Sequence, residues 1–131
     1  MTDAEFLARF ETHSLDSFSH RDHLRVAYAY ARRGGAPAAV AGARRIRALA
    51  DATGDAGKYH DTLTVAWARV IAHLVERRPH LPFEAFVAAH PQLHHRDLLL
   101  AHYSPERLFS DEARERFVEP DLLPLPRCLS D

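Results

Sequence analysis

The sequence is poor in the residues and runs that mark secreted, disulfide-bonded and membrane proteins. Its 131 residues include a single cysteine, Cys128, so a disulfide framework and a CxxC zinc site are both excluded. No apolar run is long enough to span a membrane. The acidic start, residues 1–5, lacks the basic and apolar regions of a signal peptide. We therefore predict a cytoplasmic protein with no membrane partner.

Concentrated charge of either sign is also missing. The 17 Lys and Arg residues and the 18 Asp and Glu residues are interspersed and give a net charge of −1, so the sequence predicts no nucleic-acid partner. It contains no Gly-rich phosphate loop, no nucleophile elbow and no Cys/His dyad. Function must therefore be sought in side chains that the fold brings together.

Helical periodicity dominates what the sequence does contain. Apolar residues recur at helical spacing over segments of about 3–13, 20–33, 37–52 and 60–78, and shorter helices follow after Pro79. Serine and threonine precede several of these starts, where their side chains cap free backbone N–H groups. No segment has the alternating pattern of a strand. We predict an all-α fold, a compact bundle of about six helices.

The C-terminal tail has a different character. Prolines between Glu119 and Pro126 prevent a continuous helix there, and the apolar residues Leu122, Leu123 and Leu125 predict that the extended tail packs on the bundle. The length of the chain favours one domain, which we place over residues 1–131.

Histidines stand at two predicted helix starts, in a chain that has ten of them. One start reads F-S-H-R-D-H-L (18–24) and the other G-K-Y-H-D-T (57–62). His20 and His23 are three residues apart and share a helix face. Because short connections make successive helices antiparallel, both starts are expected at the same end of the bundle. The sequence therefore predicts that His20, His23 and His60 converge on one site.

The leading hypothesis for this site is a metal ion. The positive end of a helix disfavours imidazolium, and neutral imidazole is the form that binds metal. Three histidines with an open fourth position resemble a catalytic zinc site, and iron(II) or copper accepts the same ligands. Asp22 would orient a histidine or act as a base. These features favour a small metal-dependent enzyme that acts on a small polar molecule.

Four further residues are candidates for substrate contacts in that enzyme. Tyr59 and Tyr103 are predicted to contact the substrate or supply a proton. Lys58, the only lysine in the chain, is predicted to hold an anionic group. Trp67 is a candidate stacking surface for the substrate, although its place on the apolar stripe favours a core residue. Association into a homodimer is left open.

Three other interpretations remain open. In the first, the site is metal-free, and Lys58, neutral histidines and two helix N-termini bind a carboxylate or phosphate and transfer protons. In the second, the protein is a non-catalytic accessory or interaction module. In the third, the histidines are structural: His20 lies at the surface, His23 bonds to Asp22 or the helix cap, and His60 bonds to a backbone carbonyl.

Short motifs spread from Phe18 to Pro126 resemble those of a family of small bacterial helical proteins. They are F-x-H-x-x-H-L (18–24), G-K-Y-H-x-T (57–62), and Y-S at 103–104 followed by P-D-L at 120–122. The resemblance implies a compact helical domain. It supplies no substrate and no mechanism, so the metal hypothesis depends on histidine spacing alone.

Overall fold

The computed structural model describes residues 1–128, and this part of the chain is all-α with no strand, which confirms the predicted fold class. The single-domain prediction also covers residues 129–131, which lie outside the described part. The α-helices are α1 (Asp3–Glu11), α2 (His20–Arg44), α3 (Ile46–Ala52), α4 (Asp61–Arg77), α5 (Phe83–Ala89), α6 (Pro105–Leu108) and α7 (Asp111–Glu115). Turns of 3₁₀ helix lie at Ala56–Lys58, Pro91–His94 and Leu98–Ala101.

Helix α2 is interrupted where the sequence predicts an end, at Gly34 and Gly35. Gly35 has φ 73° and ψ −158°, a conformation that only glycine adopts without strain. The helix therefore has two segments, 20–33 and 36–44, that fold back on each other. They are in tight contact at Gly42, where an added Cβ would lie 2.1 Å from Cδ2 of Tyr30. A break at Arg45 then separates the second segment from α3.

Polar side chains cap the helix starts as the sequence predicts. The Ser19 hydroxyl accepts from the Asp22 N–H at 3.3 Å, while the Asp22 carboxylate accepts from the Ser19 N–H at 2.8 Å. This reciprocal capping box satisfies two free N–H groups at the start of α2. The hydroxyls of Ser104 and Ser110 likewise accept from N–H groups in the first turns of α6 and α7, so these starts are encoded locally.

The core lies between α2 and α4, which form the main helix pair. Small side chains on both helices allow this close approach, since alanine holds neighbouring backbones near each other. The buried alanines of the two helices are Ala27, Ala29, Ala31, Ala36, Ala39, Ala43, Ala66, Ala68 and Ala72. Larger residues fill the ends of the interface, among them Leu24 and Ile71, which are 1% and 0% exposed.

The tail packs on the bundle, mainly through polar contacts. The Asp121 carboxylate accepts from the Ser104 N–H at 2.8 Å, and the backbone N–H of Leu122 donates to the His102 carbonyl at 2.9 Å. Leu125 is buried, but Leu122 and Leu123 are each 55% exposed. The expectation that all three leucines pack is therefore wrong for two of them, because the backbone contacts fix the tail with these side chains outward.

No helix within residues 1–128 has both the length and the apolar character needed to cross a membrane.

Candidate functional site

A cavity of about 440 Å³ opens at one end of the helix pair. Its walls come from the beginning of segment 20–33, the end of segment 36–44 and the first half of α4. Because these three ends meet, the helices run up, down and up, as short connections require. We call it the helix-start cavity. Its polar lining residues are Ser19, His20, His23, Lys58, Tyr59, His60, Thr64, Trp67 and Arg96.

His60 lines the cavity and is also the N-cap of α4. Its Nδ1 accepts from the Leu63 N–H at 3.1 Å, so Nδ1 carries no proton. The neutral ring must then carry its proton on Nε2, which donates to the Leu108 carbonyl at 2.8 Å. Both ring nitrogens are thus engaged by backbone groups, and one of these belongs to a segment 48 residues away.

His20 and His23 each use only one ring nitrogen in this way. His20 Nε2 donates to the Leu93 carbonyl at 3.0 Å, and His23 Nδ1 donates to the Ser19 carbonyl at 2.9 Å. In the neutral rings the other nitrogens, His20 Nδ1 and His23 Nε2, carry a lone pair. No group within residues 1–128 makes a hydrogen bond to either of these atoms. They are the two basic atoms that the cavity offers.

Burial favours the neutral form of two of the three imidazoles. His23 is an exposed residue, but its ring packs against Phe18, with centroids 4.4 Å apart, and is desolvated on that side. This burial is the main cause that lowers the pKa of His23, and the charge of Arg96 lowers it further. Burial also lowers the pKa of His60, again with help from a cation, Arg114.

Tyr59, which lines the cavity, belongs to a partly buried ionic network. Its hydroxyl donates to Asp61 Oδ1 at 2.7 Å, and Arg44 Nη2 donates to Asp61 Oδ2 at 3.1 Å. Burial and this bond to a carboxylate together raise the pKa of Tyr59 above its ordinary value. Although burial alone would raise the pKa of Asp61, the bonds from Tyr59 and Arg44 hold it below its ordinary value. The phenol proton is therefore held in the hydrogen bond to Asp61.

The structure also brings Lys58 and Trp67 to the cavity. The Lys58 side chain is 82% exposed and lies 3.5 Å from the exposed Asp55 carboxylate, a pair that solvent weakens. Trp67 is half-buried and meets the edge of the His20 ring, with centroids 5.5 Å apart and planes at 75°. Trp67 thus packs against the core and also forms part of the cavity wall.

Two residues that the sequence predicts for the site lie outside the helix-start cavity. The Asp22 carboxylate is engaged with the N–H and hydroxyl of Ser19 in the capping box and does not line the cavity. Tyr103 is fully buried, and its hydroxyl donates to the Val118 carbonyl at 2.7 Å. Burial raises the pKa of Tyr103 to about 12. Neither residue is placed among the groups that line the cavity.

The described residues contain no group of three or more His, Cys, Asp or Glu side chains that could hold a metal ion. The geometry of His60 is one physical reason, because a ligand needs a free lone pair and both of its ring nitrogens already have partners. The structure therefore brings three imidazoles to one cavity without arranging them around one point.

Arg96 is a cavity residue that sequence reasoning missed. It lies in the turn between the 3₁₀ helices Pro91–His94 and Leu98–Ala101 and lines the cavity near His23. No periodic pattern marks this segment, and nothing local connects residue 96 to residue 23. The ionic pair of Arg44 and Asp61 was missed for the same reason.

Comparisons with known proteins return no relative: no family model, no curated protein and no solved structure matches this chain.

Proposed function

We propose that the helix-start cavity binds a small anionic molecule and that the basic nitrogens of His20 and His23 exchange a proton with it, without a metal ion. The observation that carries the proposal is the pair of lone-pair nitrogens in one cavity, His20 Nδ1 and His23 Nε2. Each ring is fixed by a backbone carbonyl on its opposite nitrogen, which sets the tautomer that a general base requires.

The environment of His23 and the size of the cavity support proton transfer to a small molecule near neutral pH. The pKa of His23 lies below the ordinary value of 6.5 because the ring is buried, so the neutral base is present at pH 7. The volume of about 440 Å³ lies within the range of about 300–1,000 Å³ that is typical of small-molecule sites.

Proton abstraction from 5-nitrobenzisoxazole tests the proposal without knowledge of the natural substrate. A base removes the ring C–H proton, the electron pair forms the nitrile, and the N–O bond breaks to give a coloured phenolate. We expect the protein to accelerate this reaction by about 10²-fold over the same concentration of free imidazole. If His23 is the base, the rate rises with pH with a midpoint below 6.5.

Two substitutions remove the basic atoms while keeping the backbone contacts. His20→Gln retains a donor in the place of Nε2, and His23→Asn retains a donor in the place of Nδ1. The double variant should lose the acceleration, whereas the matched control His95→Ala, at an exposed position outside the cavity, should keep it. An unchanged rate in the double variant would contradict the proposal.

The metal-dependent enzyme, with zinc, iron or copper on His20, His23 and His60, stays a prediction from sequence spacing. Such a site needs His60 to give up either the Leu63 N–H or the Leu108 carbonyl. Elemental analysis of untagged protein tests it. A stoichiometric metal that is lost on His60→Asn would favour this enzyme over the metal-free site. The family resemblance, the bacterial origin, the cytoplasmic location and the homodimer are likewise predictions that the structure leaves as they were.

A further inference from the structure

We propose that the ligand of the helix-start cavity is a small carboxylic acid with an apolar body, whose carboxylate lies between Lys58 and Arg96. This inference deepens the proposed function and rests on it. Arg96 becomes the specificity-determining residue for the charge of the ligand.

The charged side chains that line the cavity are cationic. Within residues 1–128, Lys58 and Arg96 are the charged lining residues, and no Asp or Glu of this part of the chain lines the cavity. No residue within 1–128 forms an ion pair with Arg96. Among these residues Lys58 pairs only with Asp55, which is itself exposed and lies 3.5 Å away. A carboxylate in the cavity would meet cations that have no strong competing partner among these residues, and a guanidinium matches its two oxygens.

Exposure separates the cavity into a polar rim and an apolar base. Lys58, Arg96 and Ser19 are exposed and form the rim. At the base, Ala27, Ala68 and Ile71 are 2%, 0% and 0% exposed. A ligand that is charged at both ends would leave a charge unpaired at this base, which is costly. The fitting molecule therefore carries its charge at one end only.

The apolar surface that a ligand can reach comes from side chains that are only half-buried. Phe18, Leu63 and Trp67 line the cavity and have this intermediate exposure. An apolar group the size of a phenyl ring or a branched alkyl chain would gain contacts with these side chains.

A carboxylate ligand would also change the protonation of His23. A carboxylate beside His23 adds a negative charge to surroundings that contain His20, Asp22 and Arg96. Because a nearby anion favours imidazolium, ligand binding should raise the pKa of His23. By linkage, the ligand should bind more tightly as the pH falls toward that pKa.

Three probes with one ring and three charges test the inference: benzoate, benzamide and benzylammonium. We expect benzoate to bind about tenfold more tightly than benzamide and benzylammonium to bind least. Dissociation constants come from NMR titrations that follow the His20 and His23 rings and the Trp67 indole. In the same titrations, saturating benzoate should raise the pKa of His23, and benzamide should not.

Matched variants assign the charge preference to the rim. Arg96→Gln should reduce the preference for benzoate over benzamide, and Lys58→Gln should reduce it less because Asp55 competes for the ammonium group and an ammonium does not match both carboxylate oxygens. The control Arg9→Gln removes an exposed cation on α1 outside the cavity and should change neither constant. Leu63→Ala should weaken both probes by removing part of the accessible apolar wall.

The outcomes separate this inference from the proposed function. Equal binding of benzoate and benzamide, or the same loss of preference in Arg9→Gln as in Arg96→Gln, would overturn the carboxylic acid and leave the proton-transfer assay standing. The absence of binding by all three probes would also overturn it. Failure of the proposed function is detected independently, through an unchanged rate of 5-nitrobenzisoxazole opening in the double histidine variant.

Discussion

The two helix starts look alike in sequence and differ in chemistry. At the start of α2, His20 and His23 each contact one backbone carbonyl, and each keeps one nitrogen without a hydrogen bond from residues 1–128. At the start of α4, four consecutive residues, 59–62, are buried. Each of their side chains makes a hydrogen bond, and three of these bonds reach other parts of the chain. We call the first the open start and the second the sealed start.

The difference shows how a histidine at an N-cap can become structural. Thr62 donates to the Arg116 carbonyl at 3.0 Å and accepts from the Val118 N–H at 3.1 Å, while His60 reaches Leu108. The sealed start thereby holds the C-terminal segments against α4. A side chain that bonds to two buried backbone groups is not free to bind a ligand. The sealed start therefore contributes to stability, and the open start keeps the groups that could react with a ligand.

The largest expected effect is on stability at the sealed start. His60→Ala removes the cap of α4 and leaves the Leu108 carbonyl unpaired. We expect a loss of about 3 kcal/mol in the free energy of unfolding. His60→Asn, which keeps a capping oxygen, should recover about 1 kcal/mol of it. Urea denaturation followed by circular dichroism measures both. A loss no greater than that of His23→Ala would erase the distinction between the two starts.

The next effect concerns the Asp61 carboxylate, which is part of the sealed start. Asp61→Asn keeps an acceptor for Tyr59 but removes the charge that Arg44 holds, and the Arg44 side chain is 49% exposed. We expect a loss of about 2 kcal/mol at neutral pH. Because the folded-state pKa of Asp61 lies below its ordinary value of 3.8, this stability is present above pH 3.8 and disappears as the pH falls through the folded-state pKa.

Denaturation of both proteins from pH 7 to pH 2 checks the second prediction. The curves for the wild type and Asp61→Asn should converge at the acid end. A constant difference at every pH would show that the carboxylate contributes through packing rather than charge.

A smaller effect is expected in the pH range of histidine. The pKa of His60 is lowered from 6.5 by burial, with Arg114 acting in the same direction and Asp61 in the opposite one. The unfolded state therefore binds more protons, and stability present above pH 6.5 is lost as the pH falls. His60→Asn should reduce the slope of stability against pH by up to about 1.4 kcal/mol per pH unit. A slope that does not change would place the titration at another histidine.

The sequence predicts the open start more fully than the sealed one, for a physical reason. Ser19 and Asp22 are three residues apart, so the capping box can be predicted from local spacing alone. Short connections also suffice to bring His20, His23 and His60 to one end of the bundle. The partner of the His60 ring is 48 residues away, and its choice depends on how the C-terminal segments pack. Arg96 reaches the cavity through the same packing, which no local pattern encodes.

The double variant at the open start should show the smallest change in the free energy of unfolding and the largest change in reaction rate. His20→Gln and His23→Asn keep the donors to Leu93 and Ser19, so together they should change the free energy of unfolding by no more than about 0.5 kcal/mol. The same double variant should lose the acceleration of 5-nitrobenzisoxazole opening. A thermal melt of the double variant and its rate of 5-nitrobenzisoxazole opening, measured on one preparation, test both expectations. If the double variant is as unstable as His60→Ala, then the open start is also structural, and its histidines belong to the fold.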